Sequence, residues 1–160
     1  MSIYPQLNLP HAELKLKEEA GFLKVYDNYR RKYVKLTPEE HVRQCFLLYM
    51  NNMLGYPPGL TAVEHLVVIN GLRQRADIVF YDKTLKPYLI VECKAPSVPI
   101  TKEVFMQALR YNTKLGVRYV IVTNGIKHYC AEVLQDGTMK MLEQMPQWEE
   151  GEKLLVEFFT

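Results

Sequence analysis

The stretch Tyr119-Val-Ile-Val-Thr123 constrains the fold more than any other part of the chain. Five residues this apolar, without polar alternation, form the pattern of a strand buried on both faces. Such a strand lies inside a sheet with packing layers above and below it. The neighbouring segments agree with this. Thr101–Leu115 has helical spacing, with Thr101 as its cap and Gly116 just past its end. Asn124-Gly125 then turns the chain into a strand over Lys127–Leu134, and Asp136-Gly137 turns it again into Thr138–Leu142.

Upstream, Thr37-Pro38-Glu39-Glu40 supplies an N-cap, a proline at the first helical position and a glutamate three residues after the cap. Val42, Cys45, Phe46, Tyr49 and Met53 recur at helical spacing until Gly55 and Pro57-Pro58 stop the run. Val63–Ile69, Asp77–Tyr81 and Tyr88–Cys93 are rich in Val, Ile and Tyr. They read as three strands joined by hairpins at Asn70-Gly71 and Asp82–Pro87. Phe22–Tyr26 and Tyr33–Leu36 read as short strands around a turn at Asp27-Asn28, after an irregular arm over residues 1–21. Gly151–Thr160 is amphipathic and reads as a helix. The order predicts a single α/β domain over residues 1–160 with a mixed central sheet flanked by helices. Residues 1–36 form its N-terminal arm and short strands, 37–142 its core and 143–160 a C-terminal segment.

Composition narrows the function. With 160 residues, 48% of them hydrophobic, the chain has apolar material for a core without disulfide or metal staples. Its formal net charge of +2 implies no general polyelectrolyte binder, while leaving room for a local basic patch. Cys45, Cys93 and Cys130 are odd in number and widely spaced, which fits a reducing, cytoplasmic setting; Cys93 is expected in the core. No apolar stretch reaches the ~20 residues that span a bilayer, and the N-terminus lacks a signal-peptide layout. The phosphate-loop, dinucleotide, G-x-S-x-G and H-E-x-x-H patterns are missing. Chemistry must therefore come from carboxylates, lysines and amides.

A hairpin centred between Thr84 and Leu85 pairs Tyr81 with Tyr88, Val79 with Ile90 and Asp77 with Glu92. Directly opposed residues have β-carbons ~4.5–5.5 Å apart, and like charges there are destabilising. Two carboxylates held that close need a cation, a shared proton or escape into solvent. Mg²⁺ bridging the oxygens is one solution, and Glu92 shares its face with Lys94, with Arg75 adjacent. That set suits metal-assisted phosphodiester hydrolysis, with Lys94 orienting or deprotonating the water or stabilising the transition state. An edge hairpin whose charges face solvent fits the spacing equally well.

The ordered set of segments is more specific. Thr37-Pro-Glu-Glu-His-Val-Arg-Gln44, Arg75-Ala-Asp-Ile-Val-Phe80, Leu89-Ile-Val-Glu-Cys-Lys-Ala-Pro96, Gln107-Ala-Leu-Arg-Tyr111 and Tyr119-Val-Ile-Val-Thr-Asn-Gly125 succeed one another along the chain. Together they resemble the N-terminal nuclease domain of type I restriction enzyme R (motor) subunits, within the PD-(D/E)xK nuclease superfamily. The similarity runs from Tyr26 to Tyr129. It implies a restriction-endonuclease-like core and Mg²⁺-dependent cleavage of DNA, with Mn²⁺ as a substitute. Asp77 and Glu92 would hold the metal and Lys94 would be the catalytic lysine. The family's helix carboxylate maps to Glu40, with Glu39 as the alternative, although Glu40 also reads as the capping-box residue. Gln107 and Tyr111, one helical turn apart, would flank the site and contact DNA or support it.

Arg73, Arg75, Lys102, Arg110, Lys114 and the run Arg30-Arg31-Lys32 are the basic candidates for DNA contact. Ala76 stands where the motif has its proline. In the family it resembles, the nuclease depends on an ATP-driven translocase, for which these 160 residues have no room. The expectation is therefore a separate helicase/translocase or methylase subunit as partner, or else that the chain is a fragment or an orphan domain. The apolar tail Leu154–Phe159 leaves a homodimer contact open. Two other expectations stand beside the nuclease. One is a non-catalytic DNA-binding or assembly module on the same fold. The other is a small α/β ligand-binding domain with an enclosed apolar pocket away from Glu92.

Overall fold

The computed structural model describes residues 4–69 and 71–148. Three strands, β1 (Leu16–Glu19), β2 (Phe22–Asp27) and β3 (Lys32–Lys35), form an antiparallel meander. The helix α1 (Pro38–Asn52) follows, then β4 (Thr61–Ile69), β5 (Leu72–Tyr81) and β6 (Pro87–Cys93). A second helix, α2 (Lys102–Thr113), leads to β7 (Tyr119–Thr123), β8 (His128–Val133) and β9 (Met139–Leu142). The last six strands make one sheet in chain order. Only β6 and β7 are parallel, because α2 crosses over between them. The mixed sheet and its flanking helices are thus as expected.

Each helix covers one face. Val42, Phe46, Leu47 and Met50 of α1 pack with Ile78, Phe80, Leu89, Val91 and Ile121. Phe105, Ala108 and Leu109 of α2 pack with Val79, Ile90, Val120 and Val122 on the other side. All five residues of β7 are buried, which is why that strand carries no polar alternation. Both helices start as their sequences dictate: the Thr37 hydroxyl accepts from Glu40 N at 3.0 Å and the Thr101 hydroxyl from Val104 N at 3.2 Å.

Several expectations need correction. The lead-in is not wholly irregular, since Leu16–Glu19 pairs with β2, and the meander's turn falls at 28–31 rather than at Asp27-Asn28. Strand β5 starts at Leu72, because β4 and β5 stay paired out to Ile69 and Leu72; Asn70 of that turn lies outside the described residues. The β5–β6 register holds at Ile78↔Val91, Val79↔Ile90 and Phe80↔Leu89, but Tyr81 pairs with Pro87, not Tyr88. The cause is local. Asp82 accepts from Thr84 N and Lys86 N, closing a loop tighter than the assumed one, and a bulge at Phe80/Tyr81 absorbs the difference.

The helix expected over Gly151–Thr160 falls outside the described residues. Trp148, just before it, is buried against Tyr56 and Tyr88. Among the described residues no helix is long and apolar enough to cross a membrane.

Residues ahead of β1 lie over the outer end of β7 and β8. Asn8 N donates to Gly125 O at 2.8 Å, His128 Nε2 donates to Asn8 O at 2.8 Å, and Tyr4 Oη donates to Leu36 O. Gly125 has φ +84°, and a Cβ there would come within 2.7 Å of Leu7 Cδ2. Gly125→Ala is therefore expected to cost about 1–3 kcal/mol, most of it backbone strain. A thermal melt should drop by several degrees, since each kcal/mol shifts the midpoint by about 2–4 °C at this size. An unchanged midpoint would remove this account of the turn.

Candidate active site

The regular pairing of β5 with its neighbours breaks at Asp77. On β4 the ladder passes from Val63↔Ile78 to His65↔Ala76 and omits Glu64 opposite Asp77. Glu64 has φ +47°, a left-handed conformation that is uncommon for a residue with a Cβ. Ala76 faces the α2 core while Ile78 faces the α1 core. A regular strand would put those two residues on the same face, so the chain twists between them.

Asp77 is consequently not stacked against Glu92 as a regular hairpin would have it. Its Oδ2 accepts from Cys93 N at 2.7 Å, replacing a ladder bond, and its Oδ1 accepts from Arg43 Nη2 at 3.1 Å. The like-charge problem anticipated for this hairpin is met on the α1 side by a guanidinium.

Arg43 is the centre of a wider network. It is buried, and it also contacts Glu40 at 2.6 Å and Glu64 at 3.3 Å. Arg30, from the turn after β2, binds Asp27 at 2.8 Å, Glu40 at 2.7 Å and Glu64 at 3.3 Å. Arg75 reaches Glu64 at 3.5 Å and is otherwise open to solvent. Burial works against the Asp27 carboxyl, but its bonds from Arg30 and Tyr29 N outweigh that and hold its pKa below the ordinary value.

Two candidate roles change here. Arg30 was a candidate for DNA contact, yet its guanidinium is committed to three carboxylates. Glu40 fulfils half of a capping box. Its N–H is capped, but its carboxylate turns to Arg30, Arg43 and Gln44 rather than back to Thr37 N, which donates to Lys35 O instead. Two charge-assisted bonds outweigh one bond to an amide that already has a partner.

Glu39 has the freer position. Its side chain is about half exposed, and its pKa is raised first by partial burial and then by the charge of Asp77, against the pull of Arg43 and Lys94. Glu39, Asp77 and Lys94 therefore share one electrostatic neighbourhood at the N-terminal end of α1.

On the α2 side, Glu92, Lys94, Gln107 and Tyr111 line a cleft of about 300 Å³ together with Gln74, Val104 and Ala108. Lys94 is fixed there because its N–H continues the parallel ladder, donating to Thr123 O at 2.8 Å. Asn112 orients the carboxylate: its Nδ2 donates to Glu92 Oε1 at 3.1 Å and to Ala108 O at 2.9 Å. Both partners are acceptors, so the amide orientation is determined. Tyr111 is 57% exposed and Arg110 also faces solvent, leaving this side of α2 open.

Sequence reasoning missed Arg43, Glu64 and Asn112. Asn112 had a signal, being a poor helix former inside a helix one position after Tyr111. A larger cleft of about 670 Å³ lies between the end of α2 and the β8–β9 turn. Its charged residues Arg118 and Glu132 pair with each other at 3.1 Å, and it is an open depression rather than an enclosed apolar pocket. Its volume carries no chemistry.

Asp77 and Glu92 are the candidate metal ligands. Among the described residues no three His, Cys, Asp or Glu side chains converge on one point. The oxygens of Asp77 and Glu92 are of the hard type that Mg²⁺ takes, but the structure does not gather them in one cleft: Glu92 lines the α2-side cleft, whereas Asp77 is turned to Arg43 and Cys93 N.

The raised pKa of Glu39 has a stability consequence. A carboxyl whose folded pKa lies above its unfolded value favours folding when protonated, and that contribution is lost as pH rises through the folded pKa. Glu39→Gln should therefore melt higher than wild type at pH 7. The gap should close below the ordinary value of 4.5, where the carboxyl is protonated in both states. Thermal melts at the two pH values check this, and a lower midpoint for the variant at pH 7 would contradict it.

Comparison with known proteins agrees with this architecture. The family described as type I restriction enzyme R protein N terminus matches residues 38–146. Among solved structures, the chain is similar to a fragment described as an HsdR subunit of a type I restriction enzyme from Vibrio vulnificus YJ016. The identity is 21% and the TM-score 0.50, over 75% of this chain and 25% of that one. The chain thus spans about a quarter of that protein, and the likeness is one of fold. No curated protein matches. The matched family covers both helices and every strand of the six-stranded sheet, so this chain belongs to the type I restriction enzyme R protein N-terminal family.

Proposed function

We propose that the chain is a metal-dependent DNA-cleaving domain that hydrolyses phosphodiester bonds at the C-terminal end of β6. The observation that carries this reading is the convergence of Glu92, Lys94, Gln107 and Tyr111 on one open cleft. The neighbourhood that Asp77 and Glu39 share with Lys94 supports it.

In this reading Asp77 and Glu92 hold Mg²⁺, with Mn²⁺ as a substitute. The bound ion supplies Lewis acidity and lowers the pKa of a coordinated water. The protein's own groups set the geometry. Asn112 orients the Glu92 carboxylate, and Cys93 N with Arg43 holds that of Asp77 in the protein as it stands. In this reading the Lys94 ammonium, which lines the same cleft as Glu92, would stabilise negative charge developing on the scissile phosphate and orient the attacking water.

Of the two helix carboxylates, Glu39 assists and Glu40 holds the framework, because Glu40 is bound by two arginines and a glutamine. Gln107 and Tyr111 would support the site from the open wall of α2, and the exposed Arg110 and Arg75, which do not line the cleft, would contact phosphates outside it. Family membership supports DNA as substrate and separate translocase and methylase subunits as partners.

One observation favours the non-catalytic module instead. Both oxygens of Asp77 already accept hydrogen bonds, so metal binding must share or exchange the Arg43 contact.

Nicking of supercoiled plasmid with Mg²⁺ or Mn²⁺ separates the two readings. Wild type should nick, and a chelator should stop it. Asp77→Asn, Glu92→Gln and Lys94→Ala should each reduce the rate by roughly a hundredfold or more, the scale expected when one preorganised electrostatic contact is removed. Glu39→Gln should slow nicking while raising thermal stability. Wild type that binds DNA but never nicks would establish the non-catalytic module, and nicking that survives all three substitutions would overturn the site.

A further inference from the structure

We propose that the outer face of the β1–β2–β3 meander is a second DNA-contacting surface, which grips the phosphodiester backbone of duplex DNA through a row of lysines. The register carries the argument. Lys17 pairs directly with Lys24, and Lys24 pairs directly with Lys35, so one lysine from each strand lies in a line across the whole sheet. Directly opposed like charges disfavour a sheet, and here the opposition runs through every strand it has.

Strand alternation sends this row outward. Val25 and Asp27 are fully buried on the inner side, which leaves Phe22, Lys24 and Tyr26 on the other. Side-chain contacts show that the outer residues form one surface. Lys17 Nζ lies 4.1 Å from the Tyr33 ring centre, Lys35 Nζ 4.6 Å from Phe22 and Lys15 Nζ 5.2 Å from Tyr26. Tyr26 and Tyr33 meet edge to face at 5.2 Å.

Charge points to a polyanion. Glu19 is the carboxylate on this surface, bonded to Lys17 at 2.7 Å and Lys24 at 3.3 Å. Lys15, Lys17, Lys24 and Lys35 against Glu19 leave the face at +3, whereas the whole chain carries only +2. This face is thus locally more positive than the chain as a whole.

Its form points to a backbone rather than to bases. Lysines lie over the aromatic rings, so the ring faces are not open platforms for base stacking. The rings instead hold the ammonium groups in place, which lowers the ordering cost of binding. Adjacent strands are ~4.8 Å apart, so the row spans ~10 Å, and long lysine stems extend that reach. The contact would be sequence-independent and salt-sensitive. Choosing DNA among polyanions rests on the nuclease reading.

The test measures fluorescence anisotropy of a labelled short duplex with the full chain, in chelator so that no cleavage occurs, over a salt series. Lys17→Gln/Lys24→Gln/Lys35→Gln should weaken binding roughly tenfold or more and lower the slope of log affinity against log salt by about 2–3, close to one per lost phosphate contact. Circular dichroism and a thermal melt check that the variant stays folded, since the substitution removes the Glu19 ion pairs and ring contacts together with the like-charge repulsion. The control Lys86→Gln/Lys127→Gln/Lys140→Gln should keep the wild-type slope.

An unchanged slope in the first variant, or an equal loss in the control, would overturn the proposal. So would single-stranded DNA or phosphatidylserine vesicles competing more tightly than duplex. The nuclease reading fails separately. If Lys94→Ala changes nicking but the lysine row changes no binding, only this surface is lost. If the row governs binding and wild type never nicks, the surface stands and the nuclease falls.

Discussion

The buried guanidinium of Arg43 is the contact on which the rest of the structure depends. It joins α1 to β4 through Glu64 and to β5 through Asp77, while Glu40, on its own helix, passes the connection to Arg30 and the meander. Asp27, Glu40, Glu64 and Asp77 would repel one another across this junction without it. A buried ion pair seldom adds much net stability, but removing one partner leaves an uncompensated charge at a cost of about 3–5 kcal/mol. The twist of β5 at Asp77 and the left-handed Glu64 are the backbone's side of the same arrangement. Fold and candidate site therefore share one interaction: the residue that locks α1 onto the sheet also aims Asp77.

That sharing explains which parts of the molecule were legible in the sequence. Elements governed by local chemistry were readable. Thr37 and Thr101 cap the helices they precede, Tyr119–Thr123 is buried on both faces, and the middle of the β5–β6 hairpin has the expected register. Elements governed by long-range charge were not. Strand alternation places Asp77 opposite Glu92, but alternation assumes a regular pleat, and the pull of Arg43, 34 residues away, breaks it. Arg30 looked like part of a basic run because its three carboxylates lie 3, 10 and 34 residues from it. Glu40 looked like a capping residue because the spacing from Thr37 is a capping-box spacing, whereas the Arg30 that draws its carboxylate away comes from the β2–β3 turn.

The candidate site also follows from the order of elements. The α2 crossover makes β6 and β7 parallel, and parallel neighbours end together, so Glu92 and Lys94 emerge where α2 can roof them. Asn112 and Tyr111 then face different surroundings from adjacent positions, Asn112 buried against Glu92 and Tyr111 open to solvent. A rigid inner wall beside an open outer one suits a polymer substrate better than an enclosed small molecule. The proposed division of labour is a carboxylate–lysine centre at the C-terminal end of β6, inside the sheet, and a lysine-rich meander away from it.

The central claim is that Asp77 and Glu92 hold one metal ion between them although Arg43 already engages Asp77. Electron paramagnetic resonance of Mn²⁺ titrated into the full chain, with the free-ion signal reporting what remains unbound, tests it most directly. The account predicts one site in wild type that is lost in both Asp77→Asn and Glu92→Gln and retained in Glu40→Gln. Equal Mn²⁺ uptake by wild type, Asp77→Asn and Glu92→Gln would contradict it.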